Sequence, residues 1–213
     1  MFETLFDIDA AASEAELRAK VEQLERVKAA AAAAQARATE AWAGKRHAAE
    51  ADAGIPEKKR GHGLAAEVAL ARHDAPNRGG RHLGFATALV REMPCTLAAL
   101  ETGAITEWRA TLIVRESACL SIEDRGRLDT ELCGDTSQLA GWGDQRVAAE
   151  AKKIAVRLDV GAVVERAAKA PEERRVTIRP APDTMAYVTA LLPVAQGVAV
   201  YAALKRQADT TSD

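Results

Sequence analysis

Large aromatic side chains are scarce in this chain: three phenylalanines, two tyrosines and three tryptophans make up 4% of the 213 residues. Alanine is abundant instead, with 48 residues, so the chain is 48% hydrophobic yet has few bulky side chains. Alanine favours helix but buries little area, which predicts a thin core of closely packed helices. This hydrophobic share, with a net charge of only −2, excludes a disordered chain.

Cysteine is also rare, and its spacing is typical of free thiols. Cys95, Cys119 and Cys133 are odd in number and form no CxxC pair; free cysteines of this kind usually pack as small core residues. No run approaches the roughly 18 apolar residues of a membrane span. Acidic residues occupy the N-terminus, where a signal peptide carries positive charge. We therefore expect a cytoplasmic protein with no membrane partner, no metal and no cofactor.

Charge is divided unevenly between two consecutive stretches. Residues 58–91 hold seven lysines and arginines against two acids, whereas residues 92–143 hold nine acids against four arginines. A basic stretch inside a nearly neutral chain indicates an anionic partner more sharply than the overall charge does.

A long helix is predicted over residues 13–53. Ser13 followed by Glu16 is a capping-box pattern, and Gly54 and Pro56 end the helix. Apolar residues recur along it at about 3.5-residue spacing and form a seam. They are Leu17, Val21, Leu24, Ala31, Ala38 and Trp42. This seam either pairs with another helix, including one from a second copy of the chain, or packs on the helix's own domain.

A helix-turn-helix is the strongest local pattern. Leu64–Arg72 has helical periodicity, residues 73–75 break it, and Pro76 opens a second helix that reaches about Arg91. The first two turns of the second helix carry residue types that read base edges in a major groove. These base-facing candidates are Asn77, Arg78, Arg81 and His82. A second group of cations is predicted to contact phosphates. These cations lie on a glycine-rich basic linker, residues 54–63, and at the end of the first helix. They are Lys58, Lys59, Arg60 and Arg72.

Gly79 and Gly80 fall inside this predicted recognition helix. Each interior glycine costs about 0.8–1 kcal/mol relative to alanine. The pair is therefore consistent with a helix that begins late, with one that forms fully on binding, or with a backbone that approaches a phosphate closely. The sequence does not separate these alternatives.

Trp42, Trp108 and Trp142 are expected to anchor a core that is otherwise short of large side chains. Base stacking is the alternative role for one of them, but none lies within the basic stretch of residues 58–91 that would support it.

The C-terminal stretch changes character. Residues 174–179 and 185–191 alternate like strands and are separated by turn residues, which predicts a β-hairpin, and Pro193 opens a last helix to about Ala208. A lone hairpin is marginal in water, so further strands are expected from missing sequence or another chain. The predicted segments are a helix over 1–53, a linker over 54–63, a helical domain over 64–170 and the hairpin unit over 171–213.

Two stretches resemble known families. Residues 81–114 resemble the DNA-binding segment of ParB/KorB-type partition proteins, through Leu89, Pro94 and the step from Gly103 through Ile105, Thr106 and Glu107 into the next helix. That family usually has histidine where this chain has Trp108.

A second resemblance, to the domain of unknown function 222 family, extends across nearly the whole chain. The segments that resemble this family are the Ala/Glu/Arg-rich helix, the EVALA to RATLIV block and the RRVTIRPAPDTMAYVTALLP run. Members commonly carry an HNH endonuclease domain C-terminal to this region, often in mobile elements. The resemblance implies a nucleic-acid setting, and it offers no catalytic residues to carry over.

A count of residues tests for the nuclease itself. An HNH site needs two histidines and an asparagine on one ββα unit, so that a metal and an activated water meet one phosphodiester. No histidine follows His82, and Asn77 is the only asparagine. Residues 1–213 therefore hold no HNH site, and we expect any nuclease domain to lie beyond Asp213.

The sequence thus predicts a mainly α-helical protein with a long N-terminal helix, a helix-turn-helix, and a small C-terminal hairpin followed by a helix. The leading hypothesis is a non-catalytic module that binds double-stranded DNA in an HNH-endonuclease-associated, mobile-element family. The alternative is a helical interaction scaffold, with a homodimer formed through the N-terminal helix and no nucleic-acid binding. The two are compatible, because helix-turn-helix proteins usually bind DNA as pairs.

Overall fold

The computed structural model describes residues 6–211. It confirms the predicted fold class: a long N-terminal helix, a helical middle, one two-stranded hairpin and a final helix. The helices are α1 (Glu14–Asp52), α2 (Leu64–Ala71), α3 (Gly79–Thr87), α4 (Pro94–Glu101), α5 (Glu107–Ser117), α6 (Ile122–Cys133), α7 (Asp144–Leu158), α8 (Val160–Lys169) and α9 (Val194–Thr211). The strands are β1 (Arg175–Pro180) and β2 (Ala186–Leu191). Short 3-10 turns cover Glu57–Lys59, Pro76–Arg78, Thr136–Leu139 and Ala170–Glu173, and a π-helical turn, Ala88–Glu92, continues α3.

The chain divides into two compact units between Asp159 and Val160. The sequence placed the last boundary after residue 170, whereas α8 groups with the hairpin and not with the preceding helices. The long helix α1 and residues 54–63 belong to the first unit together with α2–α7.

Helix α1 begins at the predicted capping box. The Ser13 hydroxyl accepts from the Glu16 N–H at 3.3 Å, and a Glu16 carboxylate oxygen accepts from the Ser13 N–H at 2.8 Å. The helix packs on its own unit through a face of mostly small residues. That face consists of Ala29, Ala32, Ala33, Ala36, Thr39, Glu40 and Ala43. It lies beside the predicted seam rather than on it, because small residues let α3 and α4 approach α1 closely.

The seam itself faces outward over most of its length. Leu17 and Val21 are 40% and 61% exposed, and Ala31 and Ala38 are exposed. Leu24 is half-buried, and Trp42, near the end of the seam, packs against the buried residues Ala43, Leu64 and Val68.

The core of the first unit is aliphatic, as the composition predicted. Its largest fully buried side chains are Leu64, Leu89, Met93, Leu100, Ile105, Ile113, Leu128, Leu132, Val68 and Val147, with Thr96 and Asp129. The tryptophans are not among them. Trp42 and Trp142 are half-buried, and the expectation that Trp108 anchors the core is wrong, because 53% of this residue is exposed.

A buried carboxylate fixes the start of α4. Asp129 accepts from the backbone N–H groups of Cys95 and Thr96, both at 2.7 Å, and from the Thr96 hydroxyl at 2.6 Å. The N–H groups at a helix N-terminus have no partner within the helix and favour negative charge. Asp129 therefore satisfies donors that the sharp bend before Pro94 would otherwise leave unpaired.

Within residues 6–211, no single helix combines the length and apolar character needed to cross a bilayer. One pair of consecutive helical segments, Pro76–Glu92 and Pro94–Glu101, reaches the required length and apolar character when the two are taken together. The chain bends by 106° between these two segments.

The second unit contains the predicted hairpin, with antiparallel register pairing Val176 with Ala190 and Ile178 with Val188. Residues alternate between the two faces of a strand, so one face is apolar and the other carries Arg175, Arg179 and the threonines. Every residue of both strands is exposed. The hairpin therefore leaves its apolar face uncovered among the described residues.

Candidate nucleic-acid interface

Helices α2 and α3 pack with their backbones in contact at Gly79. A Cβ atom on this buried residue would lie 1.6 Å from the Ala65 carbonyl oxygen. Glycine is thus required here for helix packing, a close approach of backbone to backbone, whereas the sequence left open close approach only to a phosphate, as one of three alternatives. A late start is also observed, since Pro76–Arg78 is a 3-10 turn and the α-helix begins at Gly79. A Cβ on Gly80, by contrast, meets nothing within 4 Å.

Asp74 organises the turn between the two helices. Its backbone N–H donates to the Ala69 carbonyl at 2.8 Å, while His73 before it adopts a left-handed φ of 55°. The Asp74 carboxylate lies 2.9 Å from His82 Nε2 and 3.3 Å from an Arg78 guanidinium nitrogen. The hydrogen bond with His82, then that from the Ala75 N–H, lower the pKa of Asp74. This carboxylate ties the first turns of α3 back to the turn that precedes them.

Three of the four base-facing candidates are exposed at the start of α3: Asn77, Arg78 and Arg81. Arg78 keeps 61% of its side chain exposed despite its ion pair with Asp74, and Arg81 makes no ion pair with any residue in 6–211. His82 differs, because it is half-buried and its ring is directed to Asp74. The structure therefore presents two arginines and an amide to solvent, and holds the histidine inward.

The phosphate-contact candidates divide in the same way. Lys58 and Lys59 are exposed on the 3-10 turn. Arg60 donates from Nε to the Ile55 carbonyl at 2.8 Å. Arg72 has only 17% of its side chain exposed and forms an ion pair with Glu107 at 2.7 Å. The two lysines are thus free to meet an anion, whereas the two arginines already have partners within the fold.

Residues 54–63 form an ordered reversal between α1 and α2. The Gly61 N–H donates to a Glu50 carboxylate oxygen at 2.6 Å, and Gly54, Gly61 and Gly63 take left-handed φ angles. The 3-10 turn that carries Lys58 and Lys59 lies within this reversal.

The acids inside the basic stretch are already paired. Glu67 receives two hydrogen bonds from Arg46, at 2.7 and 3.2 Å, and Asp74 is held as described above. Arg91 at the far end pairs with the buried Glu40 of α1. Of the seven cations in residues 58–91, the three without an ion pair or hydrogen bond in the described chain are Lys58, Lys59 and Arg81.

A groove of about 600 Å³ runs between α3 and α5. Its lining residues are Gly80, Arg81, Gly84, Phe85, Trp108, Thr111, Val114 and Arg115. Sequence reasoning missed this site, because Trp108 and Arg81 are distant in the chain and only the packing of the two helices brings them to one groove.

Two of the three cysteines, Cys95 and Cys133, lie where the thiolate is disfavoured. Burial raises the pKa of Cys133 to about 11, and burial followed by the nearby Asp129 carboxylate raises the pKa of Cys95. A thiol with a raised pKa is a poor nucleophile at neutral pH. Among the residues that the structure describes, no group of three metal-ligating side chains comes together.

Comparison of the chain with protein-family models, with curated proteins and with solved structures finds no match. The resemblances to the domain of unknown function 222 family and to ParB/KorB-type segments therefore stay predictions from the residues.

Proposed function

We propose that this chain is a non-catalytic DNA-binding module whose helix α3 enters the major groove of double-stranded DNA. The observation that supports this most directly is the exposure of Asn77 and Arg78 on the 3-10 turn that leads into α3, together with Arg81 on the first turn of α3. Arginine is suited to the acceptor edge of guanine, and asparagine to the edge of adenine. Side chains at this end of a recognition helix are the ones that contact bases.

Lys58 and Lys59 supply the sequence-independent part of the interaction. Both are exposed and without an ion pair among residues 6–211, so no internal contact is lost when they approach a phosphate. Neutralising phosphates releases counterions from the duplex, which makes such binding steeply salt-dependent. The place of the module beside a nuclease domain in a mobile element is part of the proposal and rests on the family resemblance alone.

Fluorescence anisotropy with a mixed pool of short labelled duplexes tests the proposal. We expect binding at low salt that weakens strongly between about 50 and 200 mM salt. The double variant Lys58→Ala/Lys59→Ala should flatten the salt dependence by about two units of slope. The matched control is Lys152→Ala on α7, an exposed lysine outside the basic stretch. No binding to any duplex at low salt would refute the proposal.

Base reading by Arg81 is tested separately, on a site selected from a random pool. Arg81→Ala should weaken binding to that site by about 1–3 kcal/mol and relax the preference at one base pair. A uniform loss over all sequences would instead assign Arg81 to a phosphate.

A second function, self-association through α1, is favoured by the exposed Leu17 and Val21. If two copies pair antiparallel about Val21, Arg18 of each falls opposite Glu25 of the other, in flanking positions that set the orientation of helix pairs. Val21→Glu should then convert a dimer to a monomer in light scattering, whereas Ala19→Glu, exposed on another face of the helix, should not. A monomeric wild-type chain would exclude this function.

A further inference from the structure

We infer that the groove between α3 and α5 binds an unpaired base of single-stranded DNA, with the Trp108 indole as the stacking surface and Arg81 as the partner of a neighbouring phosphate. This goes beyond duplex binding, because the ligand is an unstacked base and not the edge of a pair. The choice of DNA rests on the proposed function; the stacking site itself does not.

Trp108 is exposed on a turn that its neighbours hold in place. Thr106 caps α5 by accepting from the Arg109 N–H at 3.3 Å, and Glu107 pairs with Arg72 of α2 at 2.7 Å. These contacts hold the first turn of α5, on which Trp108 lies with 53% of its surface exposed. An indole open to solvent on such a turn is suited to stacking, since every base has an aromatic face.

The charge of the groove matches a nucleotide. Arg81 on α3 and Arg115 on α5 both line it, and no carboxylate is among its lining residues. Arg81 makes no ion pair within residues 6–211, so its guanidinium is available to a phosphate beside the stacked base. Cations next to an aromatic surface are the combination that single-strand sites use, and the fold brings Arg81, distant in the chain, to the same groove as Trp108.

The shape of the groove depends on two glycines of α3. Cβ atoms on Gly80 and Gly84 would meet nothing within 4 Å, so packing does not require glycine at either position. Each interior glycine nevertheless weakens the helix. Their effect is to leave two positions on the α3 wall, beside Arg81 and Phe85, without side chains, and about 600 Å³ of open space results, within the range of ligand pockets.

The test measures anisotropy of a fluorescein-labelled oligothymidylate and, in parallel, quenching of tryptophan fluorescence. We expect wild type to bind with quenching. Trp108→Leu should weaken binding about tenfold or more, which lies within the range measured for loss of one stacked base. Trp142→Leu is the matched control, because Trp142 is half-buried and already stacked with Arg146, 4.3 Å from the ring centre.

Gly84→Leu keeps the test independent of folding. Leucine favours helix over glycine, so this variant should unfold no earlier than wild type, while its side chain fills the groove and reduces oligothymidylate binding to a similar degree. An oligonucleotide of abasic sites should bind more weakly than oligothymidylate, because it keeps the phosphates and lacks the bases.

Three results would overturn the inference: no binding of oligothymidylate, unchanged binding by Trp108→Leu and Gly84→Leu, or equal binding of the abasic strand. The two proposals fail separately. If Trp108→Leu still binds duplex DNA but no longer binds oligothymidylate, both the duplex proposal and the single-strand inference are supported. If the wild-type chain binds oligothymidylate but no duplex, only the duplex proposal is refuted.

Discussion

At the scale of single residues, two adjacent glycines have opposite structural roles. Gly79 is buried against the Ala65 carbonyl of α2, whereas Gly80 faces open space. We predict that Gly79→Ala destabilises the protein by about 1–3 kcal/mol or more, because a methyl group must displace a backbone. Gly80→Ala should stabilise it by up to about 1 kcal/mol through helix propensity.

Urea denaturation of the two variants measures both effects, and each serves as the control for the other because the chemical change is identical. Equal effects would contradict the packing of α2 on α3. The sequence identified both glycines as anomalies in a helix, but it did not separate them, since the difference depends on a contact between two helices.

Asp74 makes stability depend on pH in the acid range. Its pKa is lowered in the folded state, chiefly by the hydrogen bond with His82. Ionised Asp74 therefore stabilises the fold fully above its unfolded pKa of about 3.9, and this contribution is lost as the pH falls through the lower folded value. We expect the unfolding free energy of Asp74→Asn to fall less steeply than that of wild type below about pH 4. Parallel slopes in urea titrations would contradict this.

At the scale of elements, α1 combines a packed half with an exposed one. Residues 14–28 are mostly exposed, and burial begins at Ala29. We predict that Ser13→Ala, which removes the capping box, speeds amide hydrogen exchange in the first turns of α1 and leaves the global unfolding midpoint unchanged. Local opening of this kind is typical of segments with few buried contacts. A lowered global midpoint would show that these turns are part of the cooperative unit.

The elements were largely predictable from sequence, because caps and breakers are local. Ser13, Thr106 and Ser121 all accept hydrogen bonds at helix N-termini, and Pro76 begins the 3-10 turn that leads into α3, at the start that the sequence indicated. The faces were less predictable. The seam on α1 was predicted from the 3.5-residue spacing of its apolar residues, whereas the fold buries the alanine-rich face next to it, because close approach of neighbouring helices favours small residues.

The site was predictable only in part, for a related reason. Exposure of Arg81 follows from its place at the start of a helix. Burial of Arg72 depends on Glu107, which is far along the chain. The direction of His82 depends on the turn that places Asp74 beside it. The meeting of Arg81 with Trp108 depends on the packing of α3 and α5. Residue type and spacing identify candidate ligands; ion pairs formed by the fold decide which of them remain available.

At the scale of the whole molecule, the two units differ in how completely they bury their apolar side chains. The unit ending at Asp159 has its own buried aliphatic core, whereas the hairpin and α9 are exposed throughout most of their length. We predict that a chain ending at Asp159 unfolds cooperatively with a midpoint within a few degrees of the full chain. The fragment from Val160 should show no cooperative transition, since an isolated hairpin is marginal.

Circular dichroism on heating checks both fragments. A large loss of stability in the shorter chain would mean that the core extends across the boundary.

The contact at Gly79 also has a consequence at the level of the gene. Every amino acid other than glycine carries a Cβ atom, so every missense change at codon 79 places an atom where the Ala65 carbonyl already lies. In a library of all single variants selected for folded protein, codon 79 should retain glycine alone, while codon 80 accepts most replacements.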